Sequence, residues 1–221
     1  MENRLFEREM RAIEEGHIYC STFSSMNDPM EGFFRSTTGM RRHTAYDEVV
    51  NEIKNEKQQL GIASLTEGYS NELMWAHYAN GFSGICIGYA TKDLLAGLSD
   101  DYALARIQYL DKPYRLALPT MSMNQRARAV LCTKNLKWMY EREWRLFAPH
   151  SGPATYTNDA ARVIILGPRM HPEDREEIVE RLSYSTTMQI RFAAVDGYDV
   201  KVYDSWEEIE APISEILDAF I

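Results

Sequence analysis

The sequence predicts an α+β fold in a single domain spanning residues 1–221, and three observations carry that expectation. Stretches with strand and helix patterning are mixed along the chain without the regular strand–helix alternation of a doubly wound parallel sheet. No internal repeat and no low-complexity linker divides the 221 residues. A chain of this length can bury roughly 70–75% of the surface its unfolded form exposes, enough for one sizeable core without covalent staples.

Taken in order, Asn3–Glu15 has Leu5, Phe6, Met10 and Ile13 near helical spacing, and Gly16 suits the end of that helix. His17–Ser21 is a short β-prone stretch. The run Thr22–Gly32 contains Asn27, Asp28 and Pro29; a proline keeps its predecessor out of the helical region, so an ordered turn follows. Thr44–Gln59 is a polar helix burying Tyr46, Val49, Val50 and Ile53, and Leu60–Leu65 is a strand. Asn71–Asn80 is a short helix ending at Gly81, followed by the strand Gly84–Tyr89. Lys92–Ala96 forms a helical turn and Ala103–Leu110 a strand, and Pro113 and Pro119 bracket a loop or edge.

Met121–Leu136 reads as a helix through Met123, Ala127, Val130 and Leu131, and Tyr140–Ala148 as a strand. Arg162–Leu166 is a near-continuous apolar strand stopped by Gly167-Pro168, and Pro172–Ser183 an amphipathic helix with proline in its first turn. Gln189–Ala194 and Asp199–Tyr203 flank Asp196-Gly197, a hairpin signal. Ser205–Phe220 completes the chain as a helix with Trp206, Ile209, Ile213, Ile216 and Leu217 on one side.

Composition bounds the function. Twenty-four Lys and Arg face 33 Asp and Glu, a formal charge of -9, so no global positive field favours a phosphate backbone. With 45% hydrophobic and 26% charged residues the chain is an ordinary globular one. No apolar run approaches the ~20 residues that cross a bilayer, and the mixed-charge N-terminus is not a secretory signal. Cys20, Cys86 and Cys132 are odd in number and far apart, which fits reduced thiols in a cytoplasmic protein better than disulfides or a paired-cysteine zinc site. The familiar nucleotide, hydrolase and zinc-protease motifs are absent, and His17, His43, His77, His150 and His171 have no metal-ligand spacing. No metal is expected.

Three segments are denser in polar and aromatic residues than a plain core element requires. Phe23–Glu31 offers Asn27, Asp28 and Glu31, either as a loop gripping a ligand or as an Asx-type turn anchored by Met26 and Met30. On a helix, Glu72–Gly81 brings Met74, His77 and Tyr78 to one face with Trp75 turned aside; these residues could line a nucleotide or simply pack a core. In a strand, period two places Glu141, Glu143, Arg145 and Phe147 on one face and Tyr140, Arg142, Trp144 and Leu146 on the other. Arg145 would hold the two carboxylates ionised, in an acid or ribose-binding cluster or in an ion-pair ladder.

The same segments carry a family resemblance. Gly16–Ser21 leading into Met26-Asn27-Asp28-Pro29-Met30-Glu31 resembles the FNDPFE signature of the bacterial family known as domain of unknown function 2971. Met74-Trp75-Ala76-His77-Tyr78-Ala79 with Gly84-Ile85-Cys86-Ile87 is similar to its MWaHYa and GicI blocks. Lys137–Arg145 resembles its K…W.YE.EWR block, and Val163–Gly167 its IilG strand, so the likeness runs in order from about residue 16 to 167. Leu5-Phe6-Glu7-Arg8 and Ala63-Ser64-Leu65-Thr66-Glu67 depart from the family's LYKYR-like opening and CFSe strand end.

A looser likeness, to the ADP-ribosyltransferase-like fold, implies a split sheet that clasps NAD. It implies Glu143 and Glu141 as the catalytic Glu-x-Glu pair, and Trp75, His77, Tyr78, Asn27, Asp28 and Arg145 as cofactor-binding residues. The function so implied is NAD-dependent ADP-ribosyl transfer to a macromolecule, nucleic acid or protein, in phage defence or as a toxin. One alternative is a nucleotide- or nucleic-acid-binding module without catalysis, whose basic patch would come from Arg35, Arg41, Arg42, Arg126 and Arg128. The third is a metal-dependent nuclease or hydrolase using Asp28, Glu31, Glu141 and Glu143.

Overall fold

The computed structural model describes residues 7–28, 30–117, 123–157, 159–206 and 208–209. The start of the first expected helix, Pro29, Pro119, Met121 and most of the expected final helix lie outside them. The elements in chain order are α1 (Glu7–Glu14), β1 (His17–Thr22), a 3-10 turn (Phe23–Ser25), β2 (Phe34–Ser36), α2 (Thr38–Arg41), α3 (Tyr46–Gln59), β3 (Gly61–Thr66), α4 (Glu72–Tyr78), β4 (Ile85–Tyr89) and α5 (Thr91–Gly97). There follow β5 (Ala103–Arg106), β6 (Gln108–Leu110), β7 (Tyr114–Leu116), α6 (Met123–Leu131), β8 (Thr133–Asn135), a second 3-10 segment (Leu136–Glu141), β9 (Glu143–Ala148), β10 (Gly152–Thr155), β11 (Ala161–Leu166), α7 (Pro172–Leu182), β12 (Gln189–Asp196) and β13 (Asp199–Tyr203). The class is α+β, as the mixed patterning predicts.

The chain divides into two compact units. One draws on residues up to His17, on Gly68–Leu98 and on the chain from Thr155 onward; the other on Ile18–Glu67 and Ser99–Ala154.

The first unit is built on a sheet of order β13-β12-β11-β4, in which β11 and β12 are parallel and the other pairs antiparallel. The apolar run of β11 is covered on both faces, as in buried strands generally. Ile164 and Leu166 pack with Met170, with Ile178 and Leu182 of α7, and with Met10 of α1. Ile165 points the other way, to Trp75 of α4 and Ala79 just after it, with Ala193 and Val200. Between α4 and β4 the chain turns through Asn80, Gly81 and Phe82, all with positive φ (48°, 60° and 73°). The Phe82 carbonyl accepts from the Arg169 N–H at 3.0 Å, and the Gly167 N–H donates to the Gly84 carbonyl at 2.9 Å. That approach is open only to glycine: a Cβ on Gly167 would lie 2.2 Å from the Phe82 oxygen.

The second unit carries the sheet β10-β1-β3-β9-β5, with β1/β3, β3/β9 and β5/β9 antiparallel. Phe147 of β9 and Ile62 of β3 meet Ala127 and Leu131 of α6, and Met40, Val49, Ile53, Leu116 and Val130 form a further core under α3 and α6. Parallel pairs β2/β7 and β6/β8 complete the unit.

Three expected elements change. The strand expected over Ala103–Leu110 breaks at Ile107 into β5, which pairs with β9, and β6, which pairs with β8. The helix expected over Met121–Leu136 ends at Leu131, and Thr133–Asn135 becomes β8 because it pairs with β6. The strand expected from Tyr140 begins at Glu143, since Leu136–Glu141 is a 3-10 segment closed by Arg142 in the left-handed region at φ 47°.

Gly167→Ala is expected to lower the melting temperature by several degrees, corresponding to about 1–3 kcal/mol of overpacking against backbone. Gly39→Ala on α2, where an added Cβ meets nothing within 4 Å, should leave it unchanged or raise it. Thermal unfolding of both variants checks the contrast.

Candidate active or binding site

The second unit contains a cluster of charged side chains shut away from water. Glu31, Lys134, Glu141, Glu143 and Arg145 are each no more than 6% exposed. Buried charges persist only when paired and hydrogen-bonded, so their geometry is the first thing to account for.

Glu143 and Arg145 leave the same face of β9. The Arg145 Nε donates to Glu143 Oε1 at 2.7 Å, its Nη1 to the Leu131 carbonyl at 2.5 Å, and its Nη2 to Glu31 Oε2. Glu143 Oε1 also accepts from the Ser64 hydroxyl on β3 at 2.6 Å. Lys134 of β8 inserts its ammonium among the carboxylates, 2.5 Å from Glu141 Oε2, 3.1 Å from Glu143 Oε2 and 3.2 Å from Glu31 Oε1. The cluster therefore holds three carboxylates against two cations.

Local structure explains each arrival. The left-handed turn at Arg142 carries the chain from the 3-10 segment into β9 and leaves Glu141 within reach of Lys134; Thr66 fixes it by donating its hydroxyl to the Glu141 carbonyl at 2.7 Å. The Glu143 N–H donates to the Tyr109 hydroxyl at 2.7 Å. Glu31 is set by a turn in which the Met30 N–H donates to Asp28 Oδ1 at 2.9 Å and the Glu31 N–H to the Asp28 carbonyl at 3.0 Å. The next residue, Gly32 at φ 62°, lets the buried Lys57 ammonium reach its carbonyl at 2.7 Å while lying 4.1 Å from the centre of the Phe23 ring.

Burial alone pushes the Glu143 carboxyl up, but Arg145, Lys134 and the Ser64 hydroxyl more than offset it and hold Glu143 below the usual carboxylate range. Burial likewise works against charge on Lys134, and Glu143, Glu141 and Glu31 outweigh it, so this ammonium stays charged well above its ordinary range. Burial pushes the thiols of Cys20, Cys86 and Cys132 up to about 11, so they are inert core groups at neutral pH.

A cavity of about 300 Å³ opens beside the cluster, and Glu31 and Lys134 line it. Trp138, Phe33, Met30 and Pro113 supply apolar wall, while Asp28, Asp111, Lys112 and Lys137 supply charge. The Lys134 ammonium also lies 5.0 Å from the centre of the Trp138 ring.

The expected site residues divide between the units. Glu141, Glu143 and Arg145 come together as period two and the Glu-x-Glu spacing suggest, although Glu141 precedes the strand. Asp28 lines the cavity and Asn27 is exposed next to it in sequence. Trp75, His77 and Tyr78 sit on α4 of the other unit. Trp75 is buried in the core there, its indole N–H donating to the Tyr69 carbonyl at 2.6 Å, whereas His77 and Tyr78 are exposed and in edge contact at 6.2 Å. Of the five arginines of the basic patch, Arg35, Arg41 and Arg42 are exposed, Arg126 is buried and Arg128 is half-buried against Phe147.

Lys134 is the site residue to which the sequence assigns no role, whereas Glu31 is expected with Asp28 as a ligand-gripping carboxylate, apart from the Glu-x-Glu pair. Glu31 stands at the end of the Asn27–Glu31 run. Lys134 carried no signal, because a three-residue strand is too short to show periodicity. Among the described residues no group of three or more His, Cys, Asp or Glu side chains is arranged to hold a metal ion, and no helix is long and apolar enough to cross a membrane.

An α+β protein with a buried carboxylate–cation cluster at an aromatic-walled cavity is the class that fold and site define. Residues 74–146 match the family described as protein of unknown function (DUF2971), which bears out the resemblance over the Met74–Ala79, Gly84–Ile87 and Lys137–Arg145 blocks; Gly16–Glu31 and Val163–Gly167 lie outside the match. The matched segment contains Lys134, Glu141, Glu143 and Arg145. No curated protein and no solved structure gives a match.

Acid should act through this cluster. A group whose pKa is depressed by folding contributes stability that is complete above its unfolded value, near 4.5 for Glu143, and is lost as pH falls through the folded value. Wild type is therefore expected to lose stability from about pH 5 downward more steeply than Glu143→Gln, in urea titrations at stepped pH. Arg145→Met, which strands Glu31 and Glu143, should cost about 3–5 kcal/mol at neutral pH in the same assay.

Proposed function

We propose that the cavity of the second unit binds a nucleotide-type ligand. The observation that carries this reading is the combination in one concave site of aromatic wall, Trp138 and Phe33, with a charged floor and exposed lysines, Lys112 and Lys137. Flat heteroaromatic rings stack on such walls, hydroxyls and ring N–H groups bond to carboxylates, and phosphate is met by ammonium groups. Its volume is at the small end of ligand pockets, which suits one nucleoside rather than a macromolecular surface.

Arg145 and Lys134 serve here as positioning residues, holding Glu31 and the Glu141–Glu143 pair in fixed, ionised arrangement. Carboxylates dominate the site, and the Ser64 hydroxyl donates to Glu143, an arrangement that suits chemistry needing charge stabilisation more than covalent attack. That favours a second reading, glycosyl transfer from NAD to a macromolecular acceptor. Three carboxylates against two cations leave the cluster with excess negative charge, which would stabilise an oxocarbenium ion as nicotinamide departs. Glu143 is ionised for that role, and the resemblance to the ADP-ribosyltransferase-like fold names the same Glu-x-Glu pair. NAD would be the cofactor, and the setting cytoplasmic.

Ligand-observed NMR with NAD, nucleoside monophosphates and nucleosides tests the binding reading. Trp138→Ala is expected to weaken binding by about 1–3 kcal/mol. For the second reading, nicotinamide release in the presence of lysate or nucleic acid should occur with wild type and be abolished in Glu143→Gln. Release unchanged in that variant would remove the enzymatic role of the pair, and absence of binding by any nucleotide would remove both readings.

A further inference from the structure

Resting on the nucleotide reading of the same cavity, we infer that Glu31 decides which end of the ligand enters: its Oε1 accepts from a neutral donor, a sugar hydroxyl or an amino or amide N–H, and phosphate stays at the mouth. Glu31 lines the cavity, yet its side chain is 98% withdrawn from water, with 2% exposed. Its Oε2 accepts from Arg145, but its Oε1 has no hydrogen-bond partner. The Lys134 ammonium lies 3.2 Å from that oxygen and contributes charge, while its hydrogen bonds go to Glu141 at 2.5 Å and Glu143 at 3.1 Å. A buried carboxylate oxygen short of a donor is costly to leave so, and a ligand donor completes it.

The same geometry excludes an anion. Phosphate at the floor would meet the Glu31 carboxylate and a Lys134 ammonium already engaged by Glu141 and Glu143, and Asp28 and Asp111 line the same cavity. Lys112 and Lys137 are exposed lining residues, with Asp111 between Lys112 and Leu110, so the phosphate of a nucleotide finds two ammonium groups at the mouth and none free at the floor. The ligand therefore enters by its nucleoside end, and a dinucleotide leaves its second half outside a cavity of about 300 Å³.

Calorimetry on the intact chain with the four ribonucleosides, their 5′-monophosphates and inorganic phosphate tests this orientation. At least one nucleoside should bind, and its monophosphate should bind a few-fold tighter, an advantage lost in Lys112→Ala/Lys137→Ala. Inorganic phosphate should not compete, and Glu31→Gln should weaken the nucleoside roughly tenfold or more. Should that variant fail to fold, 2′- and 3′-deoxynucleosides and N-methylated bases replace it on wild type, where deleting one donor should give the loss. Monophosphates that bind while nucleosides do not, with phosphate competing, would overturn the orientation and leave the nucleotide reading standing. No binding by any of these compounds would overturn both.

Discussion

Burying Arg145 is the constraint on which the second unit depends. A guanidinium 1% exposed must find acceptors for its donors or the unit does not close. The acceptors come from three elements: Glu143 two residues away on β9, the Leu131 carbonyl at the end of α6, and Glu31, 114 residues earlier in the turn after β1. Each ion costs several kcal/mol to withdraw from water, and paired geometry offsets that only when nearly every partner arrives together. The cluster is therefore less a source of net stability than a condition on register. A slip of β9 by one residue would turn Glu143 and Arg145 to the other face and leave Glu31 and Lys134 facing apolar side chains.

β9 thus changes character along its length. Its first half presents Glu143 and Arg145 inward, and its second half places Phe147 in the aliphatic core with Leu131 and Ile62. On the other side, Trp144 and Arg142 both meet Glu67: the indole N–H donates at 3.0 Å and the guanidinium lies 2.7 Å away. The apolar half anchors the strand and the polar half serves the cavity. Such rigid backing is what a binding site needs, since side chains held by several partners do not have to be ordered again when a ligand arrives.

Much of this was legible in the sequence. Alternation over Glu141–Phe147 put the right side chains on one face, the apolar run before Gly167 marked β11, and Asp196-Gly197 marked the hairpin. What stayed hidden depends on long-range pairing. β8 is a strand only because β6 lies beside it, so Lys134 looked like part of a helix. Nothing in Tyr140-Glu141-Arg142 announces a left-handed arginine, and so the sequence pattern extends the strand over Glu141. The α4 segment shows the opposite limit: aromatic density there reflects, for Trp75, core packing in the other unit, which residue type alone does not separate from a binding role.

The way the chain is threaded bears on how the protein is made. The first unit is assembled from three stretches and the second from two, so the chain passes from one to the other repeatedly. During synthesis the second unit cannot close until β9 and β10 have left the ribosome, and the first waits for β11 to β13. Non-local strand pairing of this kind folds slowly and leaves apolar edges open in the interim. It also means that the segment 74–146 is not a portable module: it begins inside one unit, ends within β9 of the other, and lacks β1, β3 and the Glu31 turn. A fragment limited to 74–146 would therefore leave β9 without its β3 partner and Arg145 without Glu31.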